Sequence, residues 1–290
     1  MINDMNRRSF FAASVAGLTG GFVPGVRLAS AAPAVERQFQ LGCVTYNLLK
    51  DMDLETIIKT LEGVGLAAVE LRTAHKHGVE PSIGPDERAK VRERFQRSKV
   101  RLLSFGTECE FESPDAAERK KQVESGKAFV DLAHDTGALA VKVRPNGLPQ
   151  NVPLDTTIAN ISGGLRELAE YGQSKGVEIW MEVHGSGTAL PKNAAAILTS
   201  ANHKNLGACW NSNPSDVKDG SVKEAFGLLG PFIRNCHITD LYSSYPWREF
   251  FGLLRESGYK RYTLAEVSQV SKEPDRFLRY YKALWEQLTA

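Results

Sequence analysis

Glutamate, histidine and asparagine recur in one setting along this chain, at the carboxyl end of a short apolar run. Glu182 falls in Trp180-Met181-Glu182-Val183-His184-Gly185, Asn211 in Cys209-Trp210-Asn211-Ser212-Asn213-Pro214, His237 in Asn235-Cys236-His237-Ile238-Thr239-Asp240, and Glu266 ends Leu264-Ala265-Glu266. Upstream, Val69-Glu70-Leu71-Arg72 leads into His75-Lys76-His77, and Val141-Lys142-Val143-Arg144 precedes Pro145. Polar and apolar positions alternate in these runs, and side chains two apart on a strand share a face. A carboxylate on a buried face is costly unless it is paired or bound to metal. Two carboxylates, an imidazole and an amide oxygen suit a divalent cation such as Mn²⁺, Mg²⁺, Zn²⁺ or Fe²⁺. Glu182, Asn211, His237 and Glu266 are therefore candidate ligands, with Glu182 and Glu266 as candidate acid–base groups. Glu70, Arg72, His75, Lys142, Arg144, His184 and Asn213 are candidate substrate contacts. Other arrangements stay open: Glu182 as the salt-bridge partner of Lys142 or Arg144 in a metal-free polar mouth, Asn211 as the brace of a turn, and His75 and His77 as solvated loop residues. His134 and His203, in or beside helices, carry no expected role.

The elements that must position these groups alternate simply. Apolar strand-like runs are expected at Leu41–Tyr46, Ala67–Leu71, Val100–Phe105, Ala138–Val143, Val177–Val183, Leu206–Trp210, Phe232–Ile238 and Tyr262–Glu266. Helical periodicity fills the gaps, as in Leu54-Ile57-Ile58-Leu61 and Ile158-Ile161-Leu165-Leu168-Ala169, and Phe277-Tyr280-Tyr281-Leu284-Trp285-Leu288 closes the chain. Asp53, Ser113-Pro114, Asp155 and Pro274 stand where helices should start, and Gly65, Gly137, Gly176 and Gly258 where they should stop. Eight such repeats predict an α/β fold of the (β/α)₈ TIM-barrel type, whose chemistry sits at the carboxyl ends of the strands. The competing doubly wound sheet would carry a glycine-rich phosphate turn after the first strand, and Tyr46-Asn47-Leu48-Leu49-Lys50 is not one.

The chain has 290 residues, 42% of them hydrophobic and 24% charged, which excludes a disordered, collagen-like or polytopic membrane protein. Its formal charge of +2 resides in residues 1–31, where Arg7, Arg8 and Arg27 face Asp4. The remainder is neutral and offers no electrostatic reason to bind nucleic acid or an anionic membrane. Arg7-Arg8-Ser9-Phe10-Phe11, a short apolar stretch and Ala29-Ser30-Ala31 read as a twin-arginine-type export signal over 1–31, ahead of a barrel over 32–290. The mature protein is then expected in the periplasm or otherwise exported, with no membrane span. Cys43, Cys109, Cys209 and Cys236 are widely spaced and three of them lie in apolar runs, so buried unpaired thiols are expected rather than disulfides. Tyr280, Tyr281 and Trp285 either join the core or face a second subunit.

With these strand ends in place, the sequence resembles the xylose-isomerase-like barrel superfamily of sugar-phosphate isomerases and epimerases. The motifs carrying the resemblance are Glu182 in MEVHG, Asn211 in CWNSNPSD, His237 in HITD and Glu266 in LAEVS. The resemblance implies metal ligands on strands five to eight, with His184 near a small carbohydrate substrate. It has two departures: Asn211 stands where the family has an acidic ligand, and Pro214 where it has a substrate-contacting histidine. Asparagine removes one negative charge and should weaken metal affinity. The implied reaction is α-proton abstraction next to a sugar carbonyl, with the divalent ion or a cation such as Lys142 or Arg144 stabilising an ene-diolate. A free sugar is expected rather than a phosphate ester. Two alternatives remain: a 3-keto-glycoside β-eliminating lyase, and a non-catalytic sugar-binding barrel that has lost its metal. A DNA-repair endonuclease, which needs a histidine-rich cluster and a basic groove, does not fit a neutral chain with six histidines.

Overall fold

The computed structural model describes residues 37–268 and 270–290; the expected export signal lies outside the described residues. Eight parallel strands close on themselves in sequence order, β1 to β8. They are β1 Gln40–Val44, β2 Ala68–Arg72, β3 Arg101–Gly106, β4 Ala140–Val143, β5 Glu178–Glu182, β6 Leu206–Asn211, β7 Ile233–Ile238 and β8 Tyr262–Ala265. Helices alternate with them: α1 Leu54–Val64, α2 Pro85–Gln96, α3 Ala116–Thr136, α4 Leu154–Lys175, α5 Pro191–Ala201, α6 Lys223–Leu229, α7 Trp247–Glu256 and α8 Pro274–Leu288. This is the expected (β/α)₈ barrel, and every expected strand is present to within a few residues.

Local chemistry explains most boundaries. Asp53 caps α1 by accepting from the Thr56 N–H at 2.8 Å, and Gly65, Gly137 and Gly176 end α1, α3 and α4 in the left-handed conformation. At α3 the cap is Asp115, two residues beyond the expected Ser113, because its carboxylate reaches the Ala117 N–H at 2.8 Å. Asp155 lies inside the first turn of α4, favourable at the positive end of the helix, while Pro153 is the residue before it.

Two cores result. The larger lies between strands and helices, and its α8 portion takes in Tyr281 and Trp285, whereas Tyr280 stays exposed beneath the Arg276 guanidinium. The smaller fills the barrel interior with Val44, Ala68, Leu103, Ala140, Trp180, Cys209 and Leu264. That apolar plug comes from the same strand faces as the polar groups above it, so it forms the floor of whatever site the strand ends make. All four cysteines are buried and unpaired. Among the described residues no helix is long and apolar enough to cross a membrane.

Candidate active site

At the carboxyl end of the barrel a cleft of about 340 Å³ is walled by Tyr46, Arg72, Arg144, His184, Asn213 and Ser268, with Glu182, Asn211 and Glu266 also reaching it. His237 lies just beneath, fully buried. Its Nδ1 is 3.3 Å from Glu266 Oε2 and 3.7 Å from Glu182 Oε1, and Nε2 is 3.3 Å from Glu70 Oε1. Glu182, His237 and Glu266 each offer a ligand atom within 4.8 Å of the others. Asn211 donates its amide N–H to Glu182 Oε1 at 3.4 Å; a half-turn of that amide would present oxygen instead.

Register puts these groups together. Glu182 pairs with Cys209, so Asn211 stands two residues further along; Asn211 pairs with His237; and His237 pairs with Leu264, so Glu266 stands two residues beyond it. The stagger of the closed barrel therefore carries four strand ends around one point.

Two expected substrate contacts are corrected by depth. Glu70 is fully buried and does not line the cleft: its Oε2 accepts from Ser104 Oγ at 2.8 Å, and its carboxylate faces the His237 ring. Lys142 is also buried and does not line it, because β4 pairs Lys142 with Trp180, two residues below Glu182, and the long stem then brings Nζ up to Glu182 Oε2 at 2.5 Å. The salt-bridge partner weighed for Glu182 is thus real, but it occupies only one carboxylate oxygen. His75 is not brought to the cleft either; its Nδ1 is hydrogen bonded to Thr45 Oγ1 at 2.9 Å. Arg72, Arg144 and His184 do line it. Among the described residues, Arg72 Nε, Arg144 Nε and His184 Nδ1 are buried with no hydrogen-bond partner. Asn213 lines it too, with its amide donating to Val183 O and Asn211 O, both at 2.7 Å. Sequence reasoning missed Ser104, a lone hydroxyl inside the otherwise apolar part of β3, and Tyr46, Ser212, Thr239 and Ser268, because single hydroxyl and aromatic residues beyond the strand ends carry no periodic signal.

Gly106 on β3 makes room for Glu70. A Cβ there would lie 2.6 Å from Glu70 Oε1 and 2.9 Å from the Arg72 side chain. Gly106→Ala is therefore expected to push Glu70 off His237 and to destabilise the fold by roughly 1–3 kcal/mol, the usual range for overpacking, read as a lowered denaturant midpoint. An unchanged midpoint would show that the carboxylate has slack.

The electrostatics follow from burial and opposition. Burial would raise the pKa of Glu182, but Lys142 and His237 hold it well below the usual carboxylate range. Burial likewise opposes charge on Glu70, and the neighbouring His237 and Lys142 outweigh it, lowering its pKa. For His237, burial disfavours the cation, while the Cys209 sulfur and the carboxylates of Glu266 and Glu70 outweigh it and raise its pKa well above 6.5. Burial lowers the pKa of His184, which is neutral at pH 7. The signs give a stability window. The contribution of the depressed carboxylates is present above about their ordinary value of 4.5 and is lost as pH falls through their folded pKa values. The contribution of His237 is complete below 6.5 and is lost as pH rises through its raised value. Cation-free protein is thus expected to be most stable between these limits, with a Tm that declines on both sides; a Tm that keeps climbing above pH 7 would contradict a protonated His237.

The donor set fits a divalent cation. With Nε2 turned to Glu70, Nδ1 points at two carboxylate oxygens and has no hydrogen-bond partner among the described residues. A bare lone pair facing two anions is unfavourable, so either a proton or a cation belongs between them. Two ligand atoms held on one ion at roughly 2.1 Å each are at most about 4.2 Å apart, and both Nδ1–oxygen distances satisfy that bound. Glu70 then plays the part of the carboxylate that orients a ligating imidazole.

The family model of xylose isomerase-like TIM barrels matches residues 58–283. The chain belongs to the xylose isomerase-like TIM barrel family. No curated protein matches the sequence. Among solved structures, the apo form of 3-keto-D-glucoside 4-epimerase from E. coli superposes with TM-score 0.71 at 11% identity, covering 86% of this chain and 99% of that one. D-psicose 3-epimerase with D-tagatose from Clostridium cellulolyticum H10 gives 0.68 at 11%, covering 86% and 95%. The IolI protein with a binding zinc atom gives 0.68 at 18%, covering 86% and 96%. At these identities the likeness concerns the fold. The family match and these likenesses establish the barrel and leave the reaction to be argued from the cleft.

Proposed function

We propose that this protein is an isomerase or epimerase of a sugar or sugar derivative, acting by α-proton abstraction between Glu182 and Glu266. The observation that carries the reading is Nδ1 of buried His237, which among the described residues has no hydrogen-bond partner and faces the two carboxylates at the floor of an open cleft. Glu182 Oε1, His237 Nδ1 and Glu266 Oε2 would hold the divalent cation, with Asn211 adding its amide oxygen after the half-turn. A cation bound there supplies positive charge against which an enolate oxygen can develop. Glu182 and Glu266 reach the cleft from β5 and from the end of β8, so a substrate seated over the floor of the cleft meets both carboxylates.

The two carboxylates are not equivalent. Lys142 keeps Glu182 ionised and makes it a reluctant proton acceptor. Among the described residues Glu266 has no lysine or arginine partner, and it is assigned as the base. Among the described residues neither Arg72 Nε nor Arg144 Nε has a hydrogen-bond partner, Arg144 Nε lying 3.6 Å from Glu110 Oε1, and both guanidiniums orient substrate oxygens. His184, neutral at pH 7, relays a proton or holds a hydroxyl. Export by the twin-arginine route belongs to the same proposal and rests on Arg7-Arg8 and Ala29-Ser30-Ala31; recovery of the protein in the cytoplasmic rather than the periplasmic fraction would remove it.

The test is solvent deuterium incorporation, with metal content measured on the same sample, across free ketoses and aryl 3-keto-glucosides. Incorporation into a substrate with epimer or isomer formed supports the reading. Release of the phenol identifies the β-eliminating lyase, and no exchange with any divalent ion leaves a binding protein. A cation at Nδ1 must displace the proton that the ring carries at pH 7. Loading cation-free protein with Zn²⁺ or Mn²⁺ is accordingly expected to release about one proton, with affinity rising with pH. Calorimetry in buffers of different ionisation enthalpy reads that proton, and identical heats would overturn the placement.

A further inference from the structure

The cleft has a neighbour. A second cavity, of about 440 Å³, is lined by Pro214, Val217, Ser243, Ser244 and Tyr245, and it shares Ser212 and Thr239 with the first. At about 340 Å³ the cleft is near the lower end of pockets that hold a small ligand, roughly 300–1,000 Å³, so one sugar fills it. The shared lining is made of two small residues, Ser212 and Thr239, whose hydroxyls lie 3.4 Å apart, in hydrogen-bonding range of each other.

The second cavity has the character of a ring-binding surface. Tyr245 cannot offer its hydroxyl, which donates to Asp216 Oδ2 at 3.1 Å and accepts from Trp210 Nε1 at 3.1 Å. What it presents is aromatic surface, held rigid by the Trp247 ring at 4.4 Å and by the edge of Phe250 at 6.3 Å. Pro214 and Val217 also line the cavity, together with the exposed residues Ser243, whose Oγ accepts from Trp247 Nε1 at 3.3 Å, and Ser244. Tyr242, on the same loop between β7 and α7, is 76% exposed. A pyranose has that pattern in reverse, with C–H faces for aromatic and aliphatic surface and hydroxyls around its edge.

We propose that the second cavity is a subsite for a further sugar ring, so that the substrate is a glycoside rather than a free monosaccharide. This rests on the reading that the first cavity takes the reacting sugar. The linkage between the rings would pass over Ser212 and Thr239.

The test is equilibrium binding to the full protein with its own divalent content, using glucose, cellobiose, maltose and 4-nitrophenyl β-glucoside as probes. One of the disaccharides is expected to bind at least tenfold more tightly than glucose. Ser244→Trp, an exposed substitution that fills the cavity, is expected to erase that difference while glucose affinity is retained; Val217→Phe gives the same result from another lining position, and melting curves verify that both variants are folded. Equal binding of glucose and both disaccharides, or a preference that survives both folded variants, overturns the subsite. Tighter binding of the nitrophenyl glucoside than of either disaccharide overturns a sugar as its occupant. The two readings fail separately: selective disaccharide binding without deuterium exchange on any keto sugar keeps the subsite and removes the isomerase, whereas exchange into free ketoses with no disaccharide preference does the reverse.

Discussion

Replacing Glu266 by Gln is expected to lower the rate of deuterium exchange by about 10²–10⁴-fold, the contribution of a positioned general base. The substitution keeps shape and hydrogen-bonding capacity while removing both charge and basicity. Glu266 lies just past β8 at the cleft, 3.3 Å from His237 Nδ1, so cation-free protein loses one of the carboxylates that favour the His237 cation and should melt slightly lower while staying folded. The measurement is exchange kinetics beside a melting curve. Exchange within tenfold of wild type would mean that the proton goes elsewhere. Unaltered sugar affinity together with no turnover in the wild type would favour the binding-protein alternative. Glu182→Gln should also lose activity, and its melting curve should fall further, since it strips a fully buried lysine of its partner.

Lys142→Met carries the largest expected effect on stability. Lys142 and Glu182 are both buried, and removing one member of such a pair leaves an uncompensated charge, at a cost of about 3–5 kcal/mol. Here the loss also falls on Glu70, whose low pKa depends in part on the same lysine. The variant has a second signature. With Nζ gone, Glu182 Oε2 becomes available, and the local charge turns more negative, so divalent cations should bind more tightly than to wild type. Cation at 100 times its Kd returns about 2.7 kcal/mol, and the denaturant midpoint of Lys142→Met should rise with added Zn²⁺ or Mn²⁺ by more than that of wild type. A cation-free variant as stable as wild type would show that the pair is neutralised rather than ionic. A variant indifferent to cations would separate Lys142 from the cation site altogether.

Strand parity is a local property, which is why Glu182, His237 and Glu266 were legible. Each sits at the end of an apolar run with its polar neighbours two residues away, and a strand can turn that set only one way. Caps were legible to within two residues for the same reason, as Asp53 and Asp115 show. Depth in the barrel is another matter. Glu70, Lys142 and Glu182 look alike in the sequence, yet two lie below the cleft and one reaches it. The difference comes from the stagger between strands, including the shift in register between Val69 and Glu70 against β3. Likewise, nothing along the chain distinguishes Gly106 from other glycines until a carboxylate from the next strand occupies the space beside it.

From its order of residues alone, this chain set the number of strands, the face each presents and the kinds of side chain delivered to the carboxyl end. Closure of the sheet decided the rest: which carboxylates share the His237 ring, that Lys142 spends itself on Glu182, and that a second hollow opens beside the first. The physical reason is one of range. Alternation and capping act over a few neighbouring residues, whereas register across a closed barrel depends on every strand at once.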